Sequence, residues 1–447
     1  MIENKKVFVL GMAKSGYEAA KLLASEGYEV VVNDFNREQI LEQVKELESL
    51  GVKIILGSHP DDLIDKTFDM IIKNPGISNK HKYVEKAKEL NIPVINELEL
   101  AFRYFPENIK IIGVTGSNGK TTTTTIIFEI LKRASTNVFL MGNIGYPACS
   151  FISQLKDNDI IVVEVSDHQL CNILDFKTNI SVLTNISEAH IDFHGSYEIY
   201  KSMKKRIFNQ HTKSDTAIIN LDDKEVLSLT TDINSTKRYF SSSSLNKSDC
   251  TIVDGYIYYG NDKIISVNEV KIKGKHNYEN IMAAILAVKE LGIENDIIVN
   301  VLKSFGGVEH RMEYVKTINN IDFYNDSKAT NIKSTQTALS SFTKPTILLL
   351  GGLDRGHSFD GLKDYLINVK LIIAFGESKM RIKEFGNNCS IQCQCVSSLK
   401  EATEIAYNSA NDGDVVLLSP ACAAWDEFKN FEVRGNLFKG YVNSLDN

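Results

Sequence analysis

The segment that decides the fold reads Gly113-Val114-Thr115-Gly116-Ser117-Asn118-Gly119-Lys120-Thr121-Thr122. An apolar run precedes it at Lys110–Ile112, and apolar residues follow it at helical spacing: Ile126, Ile127, Ile130 and Leu131. Strand, glycine-rich loop and helix thus stand in the order of a phosphate-binding loop. A strict G-x-x-x-x-G-K-[ST] motif has glycine where Val114 stands, so this is a variant of the loop. The order of elements predicts nucleotide binding.

We call Gly113–Thr122 the phosphate loop, and phosphate binding explains why its glycines, lysine and threonine are needed. Gly116 and Gly119 let backbone amides curl around phosphate oxygens. Lys120 neutralises the outer phosphates, and the Thr121 hydroxyl reaches a magnesium ion. The predicted nucleotide-binding residues of the loop are Gly116, Ser117, Asn118, Gly119, Lys120, Thr121 and Thr122.

Two polar residues follow the next apolar runs. Asp159–Val163 predicts a buried strand that ends at Glu164, where a carboxylate suits a magnesium ion, directly or through water. Capping or pairing at the sheet edge is the alternative for Glu164. His190 lies past another strand, Ile180–Leu183, and a lone histidine there is more often structural than a ligand.

The stretch Tyr197–Gln210 predicts an amphipathic helix. Its core stripe is expected at Ile199, Met203 and Ile207. Lys204 has Tyr200 and Phe208 among its helical neighbours, so its stem is expected against apolar surface. A lysine at such a position either extends its ammonium to water or is held neutral for chemistry.

The first region alternates strand and helix. Val7–Leu10 runs into the turn Gly11–Gly16, and further apolar runs at Val30–Val32, Ile54–Leu56 and Met70–Ile72 predict a parallel sheet covered by helices. The turn is close to G-x-G-x-x-G, and Asp34 follows at about the distance of a ribose-binding carboxylate. Ala13 stands in place of the middle glycine, which favours phosphate binding of some kind over hydride chemistry with NAD. Packing of helix on strand is the alternative.

Three loops of the last region each follow an apolar run. They are Asp326–Asn331, Gly351–Arg355 and Ser419–Phe428. Loops at strand ends form the binding edge of an open α/β sheet. Lys328 and Arg355 suit an acidic amino acid, with plain surface charge as the alternative.

Two further stretches precede that region. Asn277 and Asn280 lie one turn apart at the start of a helix that continues to Val288, and their spacing favours capping of the helix over hydrogen bonding to a base. The polar stretch Ser241–Ser248 predicts a loop or an edge hairpin.

Composition and net charge limit the domain number, the cellular location and the classes of binding partner that we expect. The 447 residues predict two to four domains, and 50 basic against 57 acidic side chains give a net charge of -7, with no global attraction to nucleic acid or an anionic membrane. The amino terminus becomes charged too soon for a signal peptide, and no apolar run reaches the length of a membrane span. An odd number of cysteines, seven, predicts reduced thiols in the cytoplasm. Cys389, Cys393 and Cys395 have no downstream Cys/His pair, which favours thiols over a structural zinc.

In their order, these motifs resemble the Mur ligases, ATP-dependent amide-forming enzymes of bacterial cell-wall synthesis. The motifs that carry the resemblance span essentially the whole chain: Gly113–Thr122, Gly142–Gly145, Val163–Ser166, His190–Asp192, Lys204–Arg206, Gly274–Asn280, His310–Glu313, Asn325–Asn331 and Leu417–Gly435. The segment Ser419–Ala423, followed by Asp426, Phe428 and Phe431-Glu432 with Arg434-Gly435, looks like the D-glutamate-adding members.

The resemblance implies a reaction and its catalytic residues. ATP would phosphorylate the L-alanine carboxylate of UDP-N-acetylmuramoyl-L-alanine, and the D-glutamate amine would attack the acyl phosphate to form an amide. The implied catalytic residues are Lys120, Glu164, His190 and Lys204. The implied magnesium ligands are Thr121, Glu164, His190 and Lys204, the last as a carbamate.

The resemblance also implies the binding residues. ATP would be contacted by Asn280, Arg311, Asp326 and Lys328 as well as the phosphate loop. The UDP-sugar would be contacted by Ser15, Asp34, Phe35, Asn74, Gly76, Asn143 and His190. D-Glutamate would be contacted by Thr330, Arg355, Ala424 and Phe431.

The predicted fold class is α/β with three domains. A Rossmann-like UDP-sugar-binding domain is expected over residues 1–98, a central ATP-binding domain with a parallel sheet of the P-loop ATPase type over 99–307, and a Rossmann-like amino-acid-binding domain over 308–447. The last domain is expected to close around ATP by a hinge, and the protein is expected to be a monomer.

Three residues or pairs depart from the family pattern. Asp167-His168 stand where the family commonly has serine and an aromatic residue, Arg355 stands where some members have lysine, and Trp425 replaces a smaller residue. Two other functions compete with the ligase. A folylpolyglutamate synthase-like ligase lacks the first α/β region, and a nucleotide-gated binding protein needs neither Lys204 on an apolar face nor the acidic-substrate loops.

Overall fold

A computed structural model describes residues 5–135, 137–243 and 248–445. Within these ranges the strands form three sheets, of five, nine and six strands. The chain divides into two compact units: one runs up to Val267 and includes Lys275–Leu302, and the other comprises Asn268–Gly274 and the residues from Lys303 onward. The first two sheets therefore share a unit. Half of the predicted serine-rich loop, residues 244–247, lies outside the described residues.

The first sheet is parallel. Its strands are β1 (Lys6–Leu10), β2 (Glu29–Asp34), β3 (Lys53–Leu56), β4 (Met70–Lys73) and β5 (Val94–Ile95). They lie in the order β3-β2-β1-β4-β5. The helices are α1 (Lys14–Ser25), α2 (Leu41–Ser49), α3 (Lys82–Leu90) and α4 (Glu97–Phe102), with a short 3-10 helix at Asp61–Leu63. Val7–Leu10 are fully buried, as expected for a parallel strand covered on both faces.

The second sheet carries the phosphate loop. Its strands are β6 (Lys110–Thr115), β7 (Val138–Gly142), β8 (Ile160–Glu164), β9 (Ile180–Leu183), β10 (Thr216–Asn220), β11 (Thr236–Ser241), β12 (Cys250–Val253), β13 (Tyr256–Tyr259) and β14 (Asp262–Ser266). Their order is β14-β13-β12-β11-β10-β9-β6-β8-β7. The strands from β7 to β12 are parallel, and β13 and β14 continue the sheet as antiparallel strands.

The helices of this region are α5 (Lys120–Ala134), α6 (Asp167–Leu170), α7 (Ile191–His194), α8 (Tyr197–Lys205), α9 (Lys224–Leu229), α10 (Lys275–Lys289) and α11 (Asn295–Ser304). Short 3-10 helices lie at Ala148–Phe151 and Arg206–Phe208. The helix predicted over 197–210 is thus α8 followed by a 3-10 turn. Its predicted core stripe is wrong at Ile199, which is 46% exposed, because the buried face instead carries Tyr200, Lys204 and Ile207.

The third sheet lies in the second unit. Its strands are β15 (Glu313–Ile318), β16 (Ile321–Asn325), β17 (Thr346–Gly351), β18 (Val369–Phe375), β19 (Gln392–Cys395) and β20 (Val415–Leu418), in the order β15-β16-β20-β17-β18-β19. Only β15 pairs antiparallel among the described strands of this sheet. The helices are α12 (Ile332–Leu339), α13 (Lys379–Asn388), α14 (Leu399–Ser409) and α15 (Phe431–Asn443), with a 3-10 helix at Asp360–Tyr365. Hydrophobic clusters cover the two faces of the sheet.

Two buried carboxylates join the first sheet to the second. Glu97 and Glu99 lie on α4, and both are at least 97% buried. Glu97 accepts a hydrogen bond from the Cys149 amide (2.5 Å). Glu99 accepts hydrogen bonds from three successive amides, those of Leu174, Asp175 and Phe176 (2.9–3.1 Å). One hydrophobic cluster also contains residues of both sheets. The predicted boundary near residue 99 therefore falls inside a helix that both sheets hold.

In the part of the chain that the structure describes, no helix is long and apolar enough to cross a membrane. The seven cysteines all lie in that part, and all are free thiols.

Candidate active site

The phosphate loop has the predicted conformation. It connects β6 to α5, and Gly116 and Gly119 adopt φ angles of 146° and 80°. A Cβ at Gly116 would lie 2.0 Å from Thr184 Oγ1, and one at Gly119 would lie 2.2 Å from Asn280 Oδ1. The two glycines are required both by their backbone angles and by the closeness of these neighbours.

The segment after β9 braces the loop. The Asn118 amide donates to Asn185 Oδ1 (2.9 Å), and Thr184 Oγ1 donates to the Asn118 carbonyl (2.6 Å). Ser117 Oγ donates to the Ser187 carbonyl and lies 2.7 Å from the Tyr200 hydroxyl. Lys120 Nζ donates to the carbonyls of Gly116 (2.8 Å) and Ser117 (2.9 Å). These hydrogen bonds fix the conformation of the loop, and the Lys120 ammonium group lies on the loop's own carbonyls.

Asn280 belongs to the loop environment and does not cap its helix. α10 begins at Lys275, so Asn277 and Asn280 lie inside it, and the capping favoured from the sequence is wrong. Asn280 is 5% exposed, and its Oδ1 accepts a hydrogen bond from Thr123 Oγ1 (3.3 Å). Because the helix starts two residues before Asn277, the Asn280 side chain lies beside the loop rather than on the orphan amides of the first turn.

Glu164 ends β8 as predicted and is 1% exposed. Its Oε1 accepts a hydrogen bond from Asn143 Nδ2 (2.6 Å), while Oε2 is buried and has no hydrogen-bond partner among the residues that the structure describes. A buried carboxylate oxygen in that state carries an uncompensated desolvation cost, which a cation offsets. Together with Thr121, 5% exposed at the start of α5, Glu164 provides the oxygen donors that magnesium prefers.

Lys204 is fully buried, so the predicted apolar setting is confirmed. Its Nζ lies 3.1 Å from Asp167 Oδ1, 3.4 Å from Thr115 Oγ1 and 5.4 Å from the centre of the Tyr200 ring. Burial, the largest influence, lowers the pKa of Lys204 to about 8; Lys120 acts in the same direction and Asp167 in the opposite one. The neutral amine is thus accessible near physiological pH.

Asp167 gathers histidines from separate segments. Its Oδ2 lies 3.2 Å from His168 Nδ1, 3.0 Å from His190 Nδ1 and 2.7 Å from His194 Nε2. Burial alone would raise the pKa of the Asp167 carboxyl, but Lys204 and these histidines hold it well below its usual range. We name Asp167, His168, His190, His194 and Lys204 the Asp167 cluster. His190 reaches it with a left-handed backbone (φ 51°), a strained conformation of the kind found at functional sites.

The sequence indicated only part of this cluster. His190 and Lys204 were predicted, and Asp167-His168 were noted only as a departure from the family pattern. His194 was missed. The available signal was the spacing of His190 and His194, four residues apart, which places both on one face of a helical turn.

The turns at the carboxyl edge of the first sheet bring three of the predicted UDP-sugar residues, Ser15, Asn74 and Gly76, into contact. Asn74 Nδ2 donates to Ser15 Oγ (3.1 Å), and the Gly76 amide donates to Asn74 Oδ1 (3.0 Å). Asp34 accepts a hydrogen bond from the Met12 amide (2.6 Å). Phe35 follows Asp34 and is 69% exposed, with its ring 5.5 Å from that of His59. An exposed ring beside a carboxylate suits stacking with a flat base.

Lys73 was missed in this region. It ends β4 and is fully buried, and its Nζ donates to the carbonyls of Ile77 (2.6 Å), Asn74 (3.3 Å) and Pro75 (3.4 Å). Burial lowers the pKa of Lys73 to about 8. Its ammonium therefore holds the turn that contains Asn74 and Gly76. A lysine at the end of an otherwise apolar strand was the signal that could have revealed it.

The second unit places the predicted nucleotide residues of the last region around β16. Asp326 is 5% exposed, and it accepts hydrogen bonds from Ser419 Oγ (2.8 Å) and the Met312 amide (3.2 Å). Burial raises the pKa of Asp326 to about 7. Lys328 Nζ lies 5.7 Å from the Phe431 ring, and Arg311 is exposed. The buried Arg434 donates to the carbonyls of Ser327 and Cys422, which ties this loop to the one after β20.

The predicted D-glutamate residues lie on loops of the same unit. Arg355 is exposed, and its guanidinium stacks 4.9 Å from the Trp425 ring, which is itself 64% exposed. Thr330 and Phe431 are partly buried. Ala424 is 2% exposed and has no polar side-chain atom, so it offers only backbone groups.

Comparison with known proteins finds three family domains in this chain and relatives that align with nearly all of it. Residues 5–96 match the Mur ligase MurD-like N-terminal domain, residues 114–288 the Mur ligase middle domain, and residues 310–422 the Mur ligase glutamate ligase domain. The chain belongs to the Mur ligase family. This Mur ligase is 44% identical over 445 residues to the UDP-N-acetylmuramoylalanine–D-glutamate ligase of Geobacillus sp. (strain WCH70), covering 99% of this chain and 98% of that one. It is 43% identical over 446 residues to the enzyme of the same name from Bacillus thuringiensis (strain Al Hakam), with the same coverage.

Solved structures share the fold. The UDP-N-acetylmuramate-alanine ligase MurC of Thermotoga maritima matches with a TM-score of 0.60 and 19% identity, over 98% of this chain and 99% of that one. MurF of Acinetobacter baumannii matches with a TM-score of 0.58 and 16% identity, over 93% and 91%. The prediction of a three-domain α/β Mur ligase is confirmed, and the chain is an ATP-dependent ligase. The boundaries near Glu99 and Gly307 stay predictions.

Proposed function

We propose that this ligase joins D-glutamate to UDP-N-acetylmuramoyl-L-alanine, a step of peptidoglycan precursor synthesis, through an acyl phosphate. The γ-phosphoryl group of ATP passes to the L-alanine carboxylate and ADP leaves. The D-glutamate amine then attacks the acyl carbon, phosphate leaves, and an amide bond remains. One observation carries the proposal: the fully buried Lys204 lies a single hydrogen bond from Thr115, at the root of the phosphate loop. A nucleotide-binding switch needs no buried lysine there.

Phosphoryl transfer between two anions requires positive charge at the phosphates. Lys120 provides it, since its ammonium already lies at the mouth of the loop on the carbonyls of Gly116 and Ser117. The loop amides, from Gly116 to Thr122, bind the phosphate oxygens. Asn280, Arg311, Asp326 and Lys328 are assigned to nucleotide binding from the family resemblance.

The donors for magnesium are Thr121, Glu164, His190 and Lys204. The unpartnered, buried Oε2 of Glu164 supports the fit of a cation there. A magnesium ion, when bound, supplies Lewis-acid stabilisation of the charge on the phosphoryl oxygens. Asn143 fixes the other oxygen of Glu164, so this carboxylate presents Oε2 in a set direction.

Lys204 is proposed to work as a carbamate. The neutral amine attacks CO2, a nitrogen–carbon bond forms, and one proton leaves. An ammonium group repels a metal ion, whereas a carbamate offers carboxylate-like oxygens. Burial favours the neutral amine, and burial is the largest influence on the Lys204 pKa.

The ends of the substrate are assigned to separate residues. Ser15, Asp34, Phe35, Asn74 and Gly76 hold the uridine diphosphate, with Asn143 and His190 near the sugar or its peptide. Thr330, Arg355, Ala424 and Phe431 hold D-glutamate. Arg355 provides a guanidinium fork that suits a carboxylate, and the Trp425 ring orients it. We further propose a cytoplasmic monomer with no nucleic-acid or membrane partner.

An omission assay tests the function. Phosphate release is measured with ATP, Mg2+, UDP-N-acetylmuramoyl-L-alanine and D-glutamate, each left out in turn, and mass spectrometry identifies the product. We expect release and a new amide only in the complete mixture. L-Glutamate is the matched control for stereochemistry. Release that is indifferent to D-glutamate or to the UDP-sugar contradicts the proposal.

A further inference from the structure

A cavity of about 540 Å³ opens against the third sheet. Small-molecule sites have volumes of about 300–1,000 Å³, so this one has room for a ligand. Its walls come from the segment Asn268–Gly274, from strands β15 and β16, and from the residues between α12 and β17. All of these belong to the second unit. None of the described lining residues is among those predicted to bind ATP, the UDP-sugar or D-glutamate.

The cavity lies at the edge of the third sheet where the parallel strands begin. Asp322 of β16 and Val415 of β20 line it, and these two residues pair with each other near the amino ends of their strands. The loops predicted to bind substrates follow the carboxyl ends of the same two strands, at Asp326 and Ser419. Strands of this length span about 13–17 Å. A molecule in the cavity therefore does not compete with substrates on those loops.

Three aromatic rings form one wall of the cavity. The Tyr314 and Tyr324 rings pack edge to face with their centres 5.7 Å apart, and the Tyr324 and Phe342 rings do so at 4.9 Å. All three side chains line the cavity and are only partly buried. A flat ring that packs on such aromatic faces removes them from water and gains ring–ring contacts. The wall therefore suits an aromatic ligand.

Polar contacts hold this wall in position. The Tyr314 hydroxyl lies 2.7 Å from Thr317 Oγ1, which donates a hydrogen bond to Asp322 Oδ1 (2.7 Å). Lys344 Nζ donates to the other carboxylate oxygen of Asp322 (2.8 Å). The wall is thus arranged before a ligand arrives, which reduces the entropy that binding costs.

The charge around the cavity favours an anion. Lys271 Nζ lies 5.7 Å from the centre of the Tyr314 ring, so a positive charge lies beside the aromatic wall. Both carboxylates of the lining are in ion pairs with lysines, at 2.7 and 2.8 Å. Lys271 and Lys273 therefore give the lining a net positive charge. An anionic group attached to the ring would complement it.

We propose that this cavity is a binding site for a small aromatic anion that is not a substrate of the ligase. The ring of the ligand packs on Tyr314, Tyr324 and Phe342, and its anionic group faces Lys271. The proposal goes beyond the ligase reaction and does not depend on it.

Fluorescence titration tests the proposal with 8-anilinonaphthalene-1-sulfonate, an aromatic anion that becomes fluorescent in an apolar site. The full-length chain is titrated in the presence of Mg2+ and saturating UDP and adenylyl imidodiphosphate, which fill the nucleotide sites. We expect one bound probe per chain. N-phenyl-1-naphthylamine, which has the same rings without the sulfonate, is the matched neutral probe.

Two variants separate the charge from the space. Lys271→Glu should weaken binding of the anionic probe at least about fivefold, because it replaces attraction by repulsion, and should leave binding of the neutral probe unchanged. Ser341→Trp places a large side chain at the cavity lining and should abolish binding of both probes. Lys383→Glu, the same charge reversal at an exposed lysine of α13, is the matched control and should bind both probes as the unmodified chain does.

Hydrogen–deuterium exchange locates the site without any variant. With the anionic probe bound, the amides of residues 268–274 and 314–324 should exchange more slowly. No binding when the nucleotide sites are filled, or equal affinity in the unmodified chain and folded Lys271→Glu and Ser341→Trp variants, overturns the proposal. A chain that makes the amide but does not bind the probe refutes only the cavity site, and a chain that binds the probe but makes no amide refutes only the ligase assignment.

Discussion

Lys204 Nζ and Asp167 Oδ1 lie 3.1 Å apart, and both side chains are buried. The pair places a lysine with a lowered pKa next to the carboxylate that most strongly opposes the lowering, with Glu164 acting in the same direction as Asp167. Burial favours the amine that reacts with CO2, and Asp167 favours the ammonium that does not. The balance between the two sets the fraction of Lys204 that is available for chemistry.

The opposing effects of burial and Asp167 on the Lys204 pKa should be visible in the pH dependence of carbamate formation. At fixed dissolved CO2, the carbamate on Lys204 should increase as the pH rises through about 8, because the amine loses its proton there. Asp167→Asn removes a charge that raises the Lys204 pKa, so the midpoint should move to lower pH. The carbamate is measured by NMR with 13C-labelled CO2 in metal-free buffer. A midpoint that moves upward in the variant contradicts the role assigned to the pair.

Lys204 should also be indispensable for amide formation. Lys204→Ala should reduce the rate at least about 100-fold, since a ligand of the metal is lost, and circular dichroism should show the fold intact. Lys204→Arg is the matched control because arginine keeps the charge but cannot become a carbamate. It should be as inactive as Lys204→Ala. Substantial turnover in the arginine variant would remove the carbamate from the mechanism.

Gly119→Ala should reduce ATP-dependent turnover at least about tenfold, since the phosphate loop tolerates no side chain that displaces its backbone. The added Cβ would lie 2.2 Å from Asn280 Oδ1. Gly51→Ala is the control, because Gly51 has the same φ of 80° but no atom near its Cβ. It should cost only about 1 kcal/mol of stability. Steady-state kinetics and thermal unfolding of both variants distinguish loop geometry from backbone strain, and equal kinetics would count against the loop assignment.

Lys73→Met should raise the KM for the UDP-sugar about tenfold and leave the KM values for ATP and D-glutamate unchanged, because three hydrogen bonds from an ammonium to the Asn74–Ile77 turn are lost. Lys80→Met, the same change at an exposed lysine nearby, should leave all three KM values unchanged. A uniform loss of activity in Lys73→Met, without a selective change in KM, would assign Lys73 to stability alone.

Trp425→Ser should raise the KM for D-glutamate about two- to fivefold, since an exposed cation–π contact contributes about 0.5–1 kcal/mol. The reason is that Arg355 loses the ring on which its guanidinium rests. Arg355→Met should raise the KM much further, since it removes the charge itself. If Trp425→Ser alters the KM for ATP rather than that for D-glutamate, Trp425 does not orient Arg355 for D-glutamate binding.

Local patterns allowed much of the site to be predicted. The phosphate loop, the carboxylate at the end of β8 and the buried setting of Lys204 follow from strand ends and helical neighbours, which depend on few residues. Ile199 was assigned to the wrong face because the packing of α8 on the phosphate loop, through Tyr200 and Ser117, overrides the four-residue apolar spacing. Capping by Asn280 was a wrong prediction because asparagine spacing alone does not determine where α10 starts. The helix begins at Lys275, before both asparagines.

Other contacts depend on chain segments that are distant in sequence. Asp167 and His194 are 27 residues apart, and they meet only because α6 and α7 lie at the same edge of the sheet. Lys73 follows the apolar run Met70–Ile72, and nothing in the local pattern indicates a role for it. Its role becomes visible only when the turn that follows is seen to fold back over its ammonium.

The carboxylates of α4 determine where this chain can be divided. A fragment that begins after residue 98 would retain Glu99 but lose Glu97 and with it the acceptor for the Cys149 amide. A fragment that ends there would lose Glu99, whose amide partners all lie in the segment between α6 and β9. The turns after β1, β2 and β4 and the phosphate loop are therefore parts of one compact unit. A separately expressed first domain must extend beyond Phe176 to retain the amides that bind Glu99.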